Sequence, residues 1–232
     1  NEDYTQYNLR AKGTIKLNKY FTIDNNTDFI RRSIHQPMVM YDRQLIARQI
    51  EHQGYPMTVP KNPDGTWTEA AVYVGWAGFA EGTSYQHNKK MDLKNTTTLT
   101  FTPIEPLIFK ADFSYYYNHS DRDRVENQYD YYTGPTIKKT RHTFSSLEYW
   151  SYNNEYYSSN ITGNYIPKFK NDAHRLNILA GWNLEHKYAK NVKAYQRGII
   201  LPEKPSFGLM DDEDNYSTDQ TGSEWAYVGL LY

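Results

Sequence analysis

Apolar and polar residues alternate along the first thirty residues of the chain. Every second residue over 7–17 is apolar or small, and the residues between them are polar. After the polar stretch 18–20, the alternation resumes with Phe21 and Ile23. A period of two is typical of β-strands whose two faces meet different surroundings. The pattern therefore predicts a hairpin with one apolar face and one polar face.

The same alternation returns further along the chain. The later alternating segments are 92–102, 107–118, 156–165, 174–185 and the last residues from Glu224. Polar or proline-containing stretches that are too short for anything but a turn lie at 18–20, 102–107 and 167–172. Long polar segments lie at about 32–90, 119–140 and 187–222. The sequence thus predicts about seven strands, joined alternately by short turns and long loops.

This alternation of connection lengths favours one fold class. Short turns on one side and long loops on the other are typical of transmembrane β-barrels, whereas β-sandwiches mix their loop lengths more evenly. Seven strands cannot close a wide lumen, and bacterial single-chain barrels use even strand numbers. We therefore predict an all-β antiparallel meander that forms an arc of a large transmembrane β-barrel. Its short turns would be periplasmic and its long loops extracellular.

The aromatic content agrees with this prediction. The chain has 23 Tyr, 9 Phe and 5 Trp residues, and many of them lie at both ends of the predicted strands. Amphipathic rings at both strand ends are typical of the interfacial girdles of membrane barrels. The alternative is the ordinary preference of aromatic residues for strands.

Composition excludes several classes of protein. The net charge of −1 gives no indication of a nucleic-acid partner, and the absence of cysteine excludes disulfides and thiol chemistry. Mean hydropathy is −0.86, and no run of about 20 apolar residues indicates a membrane helix. Barrel strands need only about ten residues, half of them polar, so this does not exclude a barrel.

Three segments carry a resemblance to a known family. "NLRAKGTIKLNKYFTIDNNTDF" (8–29), "LTFTPIEPLIFKADFSYYYN" (99–118) and "DAHRLNILAGWNLE" (172–185) resemble the barrel of SusC/RagA-type TonB-dependent transporters. The final "WAYVGLLY" resembles the start of that family's next strand. The order and spacing of these segments carry the likeness, since no single motif is diagnostic. A plug domain, a TonB-contact box and the remaining strands have no counterpart in the sequence, so we expect a fragment of a longer protein.

The resemblance implies a function in the bacterial outer membrane. It implies import of oligosaccharides, or of peptides in some members, through a barrel of about 22 strands. The implied partners are a SusD-like surface lipoprotein over the barrel, TonB through the missing N-terminal plug region, and outer-membrane lipid. No enzymatic activity and no cofactor are implied.

The segment 32–90 contains the candidate binding residues. Aromatic rings stack on the apolar faces of sugars, and carboxylates accept hydrogen bonds from sugar hydroxyls. The candidate glycan-binding residues are Asp42, Asp64, Trp67 and Trp76. The alternative is that these aromatic residues pack the loop against itself or against the lid protein.

Motifs for catalysis and metal binding are missing from the sequence. It contains neither HExxH nor GxSxG, and the acidic stretch 210–219 lacks EF-hand spacing. We therefore predict no catalytic and no metal site. Two other functions remain open, namely a soluble or surface-anchored β-rich carbohydrate-binding module and a fragment of a glycoside hydrolase.

Overall fold

The fold is described by a computed structural model of the chain. The described residues are 3–37, 57–74, 76–81, 83–141, 144–169, 175–212 and 214–231. Nearly all of the regular structure in these ranges is β-strand. The two exceptions are the short helices α1 (Glu69–Val74) and α2 (Trp76–Glu81).

Seven long strands form one antiparallel sheet in the order β1-β2-β3-β4-β7-β8-β9. They are β1 (Asp3–Lys16), β2 (Phe21–Pro37), β3 (Tyr85–Ile104), β4 (Leu107–Glu126), β7 (Ser146–Tyr165), β8 (Ile178–Arg197) and β9 (Tyr216–Leu231). Each of these strands pairs with the next long strand along the chain, so the sheet is a simple meander. The short hairpin β5 (Tyr129–Tyr132) with β6 (Lys138–Arg141) lies in the connection between β4 and β7. The predicted meander of about seven strands is therefore confirmed.

The turns and loops lie on opposite edges of the sheet, as the alternation predicted. The connections 17–20, 105–106 and 166–177 share one edge, which we call the short-turn edge. The third connection has 12 residues and is longer than the predicted turn 167–172. The long connections 38–84, 127–145 and 198–215 share the other edge, the long-loop edge.

The predicted loop boundaries 32–90, 119–140 and 187–222 are too wide. The structure continues β2 to Pro37 and begins β3 at Tyr85, and it extends β4, β7, β8 and β9 in the same way. The apolar alternation stops before the strands do, because both faces become polar near the long-loop edge while the backbone pairing continues. The hydrophobic pattern therefore marks only part of most of the long strands.

The strand register assigns every side chain to one of two faces. Leu9 lies opposite Phe29, Phe29 lies opposite Leu93, and Ile15 lies opposite Ile23. Since paired residues point to the same side, these residues share one face, which we call the apolar face. Ile178 lies on the same face through its pairing with Tyr165. The other side, which carries Arg10, Asp28 and Lys94, is the polar face.

A local hydrogen-bond pattern forms the first turn. The Oδ1 atom of Asn18 accepts hydrogen bonds from the backbone N–H groups of Tyr20 (2.8 Å) and Phe21 (3.0 Å). Asparagine favours such turns because its side chain can replace a backbone acceptor. The rings of Phe21 and Phe101 stack at 4.4 Å beside this turn, and Phe109 lies 6.2 Å from Phe101. A row of aromatic rings thus follows the short-turn edge on the apolar face.

One island of polar side chains interrupts the apolar face between β2 and β3. Asn25 donates to Thr97 (2.8 Å), Thr97 donates to Asn95 (3.2 Å), Asn95 donates to Thr27 (2.7 Å) and Thr27 donates to Asn25 (3.0 Å). The four hydrogen bonds close a ring in which each residue donates once and accepts once. We call it the Asn/Thr ring.

No described helix or strand packs over either face of the seven-stranded sheet, and only near the long-loop edge are apolar-face residues such as Val125 and Leu147 buried, beside loop residues 205–207. On the apolar face, Leu9 is 68% exposed, Phe113 is 50% exposed and Val228 is 60% exposed. The accessible surface is 15550 Å², compared with about 10,900 Å² for a closed domain of this mass. A soluble domain buries its sheet against a second layer. The sheet here leaves its apolar face open. No helix in the described ranges is long and apolar enough to cross a membrane.

The buried apolar cluster lies in the long connections and not on the sheet. Val72, Ala77, Tyr129 and Tyr131 are 0–6% exposed and form this cluster, with Trp67 packed against it. Helices α1 and α2 and the hairpin β5-β6 thereby fold together at the long-loop edge. Burial raises the pKa of the Tyr129 hydroxyl, which donates to Ser84 at 2.6 Å.

Candidate functional site

Aromatic side chains gather on the polar face of β4, β7 and β9. Tyr116 lies directly opposite Tyr156, and the ring of Tyr156 lies 6.4 Å from that of Trp225. Trp150 and Tyr152 follow on the same face of β7, with parallel rings 5.8 Å apart. We call these five residues the aromatic wall. It extends from mid-height of the sheet toward the long-loop edge and presents ring surface among polar groups.

Carboxylates and amides surround one end of the aromatic wall. Tyr116 donates its hydroxyl to Asp92 Oδ1 at 3.0 Å, and Asn118 Nδ2 donates to the same oxygen at 2.6 Å. Asn118 is buried. These two donors fix the carboxylate, whose second oxygen lies 3.4 Å from the ammonium of Lys90. The end of the wall therefore offers an oriented acceptor beside an aromatic ring.

Charged side chains hold the other end of the wall. The guanidinium of Arg122 lies 5.4 Å from the ring centroid of Trp150 and donates to Glu148 Oε1 at 3.1 Å. Lys193 approaches the other oxygen of Glu148 at 3.6 Å. A cation over a tryptophan face is an attractive contact. Trp150 is thereby held in one orientation by its neighbours.

A hollow of about 610 Å³ adjoins the aromatic wall on the polar face of β1, β2 and β3. Tyr116 belongs to both the wall and the hollow, and Asp92, which accepts its hydroxyl, also lines the hollow, so the two features are continuous. Arg10, Lys94 and Asp28 also line the hollow, and Arg10 is paired with Asp28. The arrangement suits a polar ligand with several hydrogen-bonding groups. Its size is within the range of small-ligand pockets.

The predicted glycan-binding residues lie elsewhere, in the connection between β2 and β3. Asp42 lies outside the described residues. Asp64 accepts hydrogen bonds from the backbone N–H of Thr66 (2.9 Å) and from its hydroxyl (2.6 Å), which hold the pKa of its carboxyl below the ordinary value. Gly65 follows with a φ of 85°, a conformation that favours glycine. Asp64 thus stabilises a tight turn in this connection.

Trp67 and Trp76 occupy the folded part of the same connection. Trp67 donates its indole N–H to Glu81 at 2.6 Å, and the ammonium of Lys61 lies 4.6 Å from its ring centroid. Trp67 also packs against the buried cluster, whereas half-buried Trp76 begins α2. The packing of Trp67 against the buried cluster is what the alternative of loop packing predicts. Their binding of a glycan stays a prediction.

Neither metal ligation nor a catalytic arrangement is evident in the described ranges. Those residues contain no group of three or more His, Asp or Glu side chains placed to hold a metal ion. His186 and Glu224 form a pair at 2.7 Å, and His119 and Asp121 form another at 2.7 Å. Both pairs lie on the apolar face of the sheet and outside the hollow.

The aromatic wall was missed at the sequence level. In the stretch 149–152, Tyr149 and Trp150 are adjacent, so one ring falls on each face and alternation alone cannot choose between them. The register decides the matter, because Trp150 lies opposite Arg122 and Tyr149 lies opposite Asp123. Strand parity counted from the clear segment 107–113 would have identified only Tyr116 as a polar-face ring, because the other rings lie on β7 and β9.

Comparison with known proteins gives matches to solved structures only. No family model and no curated protein matches the sequence. The structure entitled "Structure of the RagAB peptide transporter" matches with a TM-score of 0.73 at 13% identity, over 99% of this chain. The open-open and closed-closed states of the RagAB peptide importer match with TM-scores of 0.71 and 0.65, each at 12% identity.

The fold matches that of part of the RagAB transporter chains. The chain spans 25% of the length of each of these transporter chains. The predicted all-β arc is confirmed as a fold, while closure into a full barrel lies beyond the seven strands described. In such an arc, one face of the sheet meets lipid and the other lines the interior. The open apolar face and the polar face with its hollow match these two roles.

Proposed function

We propose that this chain is a wall segment of a TonB-dependent transporter in the bacterial outer membrane. The observation that carries the proposal is the pair of unlike faces on a single uncovered sheet of 14- to 20-residue strands. The RagAB likeness supports it at the level of the fold. The apolar face meets lipid, the polar face lines the interior, and the long loops are extracellular. The chain has a transport role and catalyses no reaction.

The proposed partners follow from this role. A SusD-like lipoprotein sits over the long-loop edge, and the RagAB structures, which are named for a complex, support a partner at this kind of transporter. TonB acts through a plug region outside this chain. No nucleic acid takes part.

The proposed cargo is an oligosaccharide that contacts the aromatic wall. Rings such as Trp150 and Tyr156 stack on apolar sugar faces, while Asp92 accepts hydrogen bonds from hydroxyls. A short peptide is the second candidate, because the similar RagAB structures are described as those of a peptide transporter or importer. Calorimetry with oligosaccharide and peptide mixtures on the purified full-length complex separates the two. A chain that remains soluble and monomeric without detergent would instead support the carbohydrate-binding module.

Removing the Trp150 ring is expected to weaken cargo binding. Trp150→Ala in the full transporter complex deletes the ring that Arg122 holds on the polar face. A lost aromatic contact of this kind costs about 1 kcal/mol or more of binding free energy. Titration calorimetry gives the change in Kd. The matched control is Tyr149→Ala, which removes the adjacent ring from the opposite face and is expected to leave Kd unchanged. Equal losses in both variants would contradict the assignment of the wall.

The loop tryptophans are tested separately. Trp67→Ala is expected to weaken oligosaccharide binding by about 1 kcal/mol if the ring contacts cargo. Because Trp67 packs against the buried cluster, protease resistance of the loop is measured in parallel. Unchanged affinity for both Trp67→Ala and Trp76→Ala, with increased cleavage, would assign these rings to loop packing.

A further inference from the structure

Two cations lie next to each other at the upper border of the apolar face. Arg31 on β2 lies opposite Met91, and Lys89 on β3 lies opposite Ser33, so both side chains point to the apolar face. The two positions are diagonal neighbours, which places them about 7–8 Å apart, within joint reach of one anion. Both residues are exposed. We call them the border cations.

The border cations differ from the cations that follow them in sequence. Arg32 donates to Gln6 at 2.9 Å and Lys90 lies 3.4 Å from Asp92, both on the polar face. Neither Arg31 nor Lys89 forms an ion pair within the described part of the chain. An exposed, unpaired pair of cations is available to an external anion.

The nearest carboxylate on the same face is already engaged. Asp121 lies opposite Lys89 on β4. Its Oδ2 pairs with His119 Nε2 at 2.7 Å, and its Oδ1 accepts the hydroxyl of Tyr149 at 3.0 Å. Both oxygens of Asp121 therefore have partners other than Lys89, and no ion pair joins these two residues in the described ranges.

In a bilayer, the border cations would lie at the level of the lipid headgroups. From Phe21, about ten residues of β2 are enough to cross the apolar part of a membrane, and Arg31 follows directly after that length. Phe29 and Leu93 form the last apolar pair below the cations. Arginine and lysine at this level attract anionic headgroups.

The other side of the sheet carries a different set of charges on the same face. Lys190 on β8 belongs to the same row of paired residues as Arg31, but it is half-buried. One row nearer the short-turn edge, β7 and β9 carry Glu155 and Glu224, and Glu224 pairs with His186 at 2.7 Å. Two exposed cations on neighbouring strands therefore occur at β2 and β3, whereas Lys190 is half-buried with two carboxylates in the next row.

We propose that Arg31 and Lys89 bind a phosphate of the lipid A headgroup of outer-leaflet lipopolysaccharide. This inference rests on the proposed function, because the long-loop edge must be extracellular for the border to meet that leaflet. The guanidinium and the ammonium together supply several N–H donors for the terminal oxygens of a phosphate. The acyl chains of the same lipid then lie on the apolar face below.

Native mass spectrometry of the purified full-length transporter tests the proposal. The probes are lipid A, dephosphorylated lipid A and phosphatidylglycerol, each titrated against the wild type and Arg31→Gln/Lys89→Gln. Each cation near an anionic lipid surface contributes about a fivefold increase in affinity, so we expect the double variant to bind lipid A about 25-fold more weakly. The wild type is expected to prefer lipid A over both other lipids.

The matched control moves the same change to the other face. Arg32→Gln/Lys90→Gln removes two cations at the next positions of the same strands and is expected to leave lipid A binding unchanged. Equal loss in both double variants, no loss in the first, or equal binding of phosphatidylglycerol by the wild type would each overturn the proposal. Arg31→Lys/Lys89→Arg keeps both charges and is expected to retain binding, which separates charge from misfolding.

The proposal and the proposed function fail in different ways. A full-length protein that does not fractionate with the outer membrane contradicts the transporter function itself. Correct fractionation and wild-type cargo uptake, together with unchanged lipid A binding in Arg31→Gln/Lys89→Gln, contradict the lipid site alone.

Discussion

Phe113→Arg is expected to lower the free energy of unfolding in a bilayer by about 2–4 kcal/mol. Phe113 is 50% exposed on the apolar face and pairs with Thr97 and Ser159 near mid-height of the apolar half. An arginine there places a charge in hydrocarbon without a partner. Unfolding of the full-length barrel in lipid vesicles by denaturant titration measures the cost.

The adjacent residue supplies the control for this prediction. Ser114 lies on the polar face, where its hydroxyl contacts Thr96 at 3.1 Å. Ser114→Arg places the same charge in the aqueous interior, so only the small loss of that hydrogen bond is expected. A Phe113→Arg effect no larger than that of Ser114→Arg would be evidence that lipid does not cover the apolar face.

Asn95→Leu is expected to destabilise the barrel by about 1–3 kcal/mol. The change opens the Asn/Thr ring, so Thr97 loses its acceptor and Thr27 loses its donor on a face that meets lipid. Unpaired polar groups in hydrocarbon cost more than paired ones contribute. The same unfolding titration measures the loss.

Replacing the whole Asn/Thr ring is expected to recover most of that stability. The combined variant Asn25→Leu/Thr27→Val/Asn95→Leu/Thr97→Val removes all four hydrogen bonds together with all four polar side chains, which is close to neutral in energy. Strong non-additivity of this kind is characteristic of one connected network. If the combined variant were less stable than Asn95→Leu, the four hydrogen bonds of the ring would contribute net stability beyond pairing one another's polar groups.

The alternation of residues predicted the faces of the sheet well and its extent poorly. The alternation over 7–17 places Leu9 and Ile15 on one side, and the register confirms this. Strand ends could not be found in this way, because β2 continues through Ser33 and His35 after its apolar residues end. Backbone pairing continues without apolar side chains, so the periodic signal disappears before the strand does.

Contacts between residues far apart in the sequence could not be predicted from the sequence. Asn25 and Thr97 belong to separate segments, and only the pairing of β2 with β3 brings them into one ring. The aromatic wall likewise depends on the register between β4 and β7. Register is fixed by the whole sheet, whereas periodicity reports only on one strand at a time.

The 20-residue strands have a consequence for the geometry of a lid. About ten residues cross the apolar layer, so in strands tilted by about 40° the remaining ten raise the long-loop edge roughly 25 Å above it. A lipoprotein resting on that edge is therefore held away from the bilayer surface that anchors its acylated end. An extended chain advances at most about 3.5 Å per residue, so such a partner needs a tether of at least about eight residues before its folded body begins.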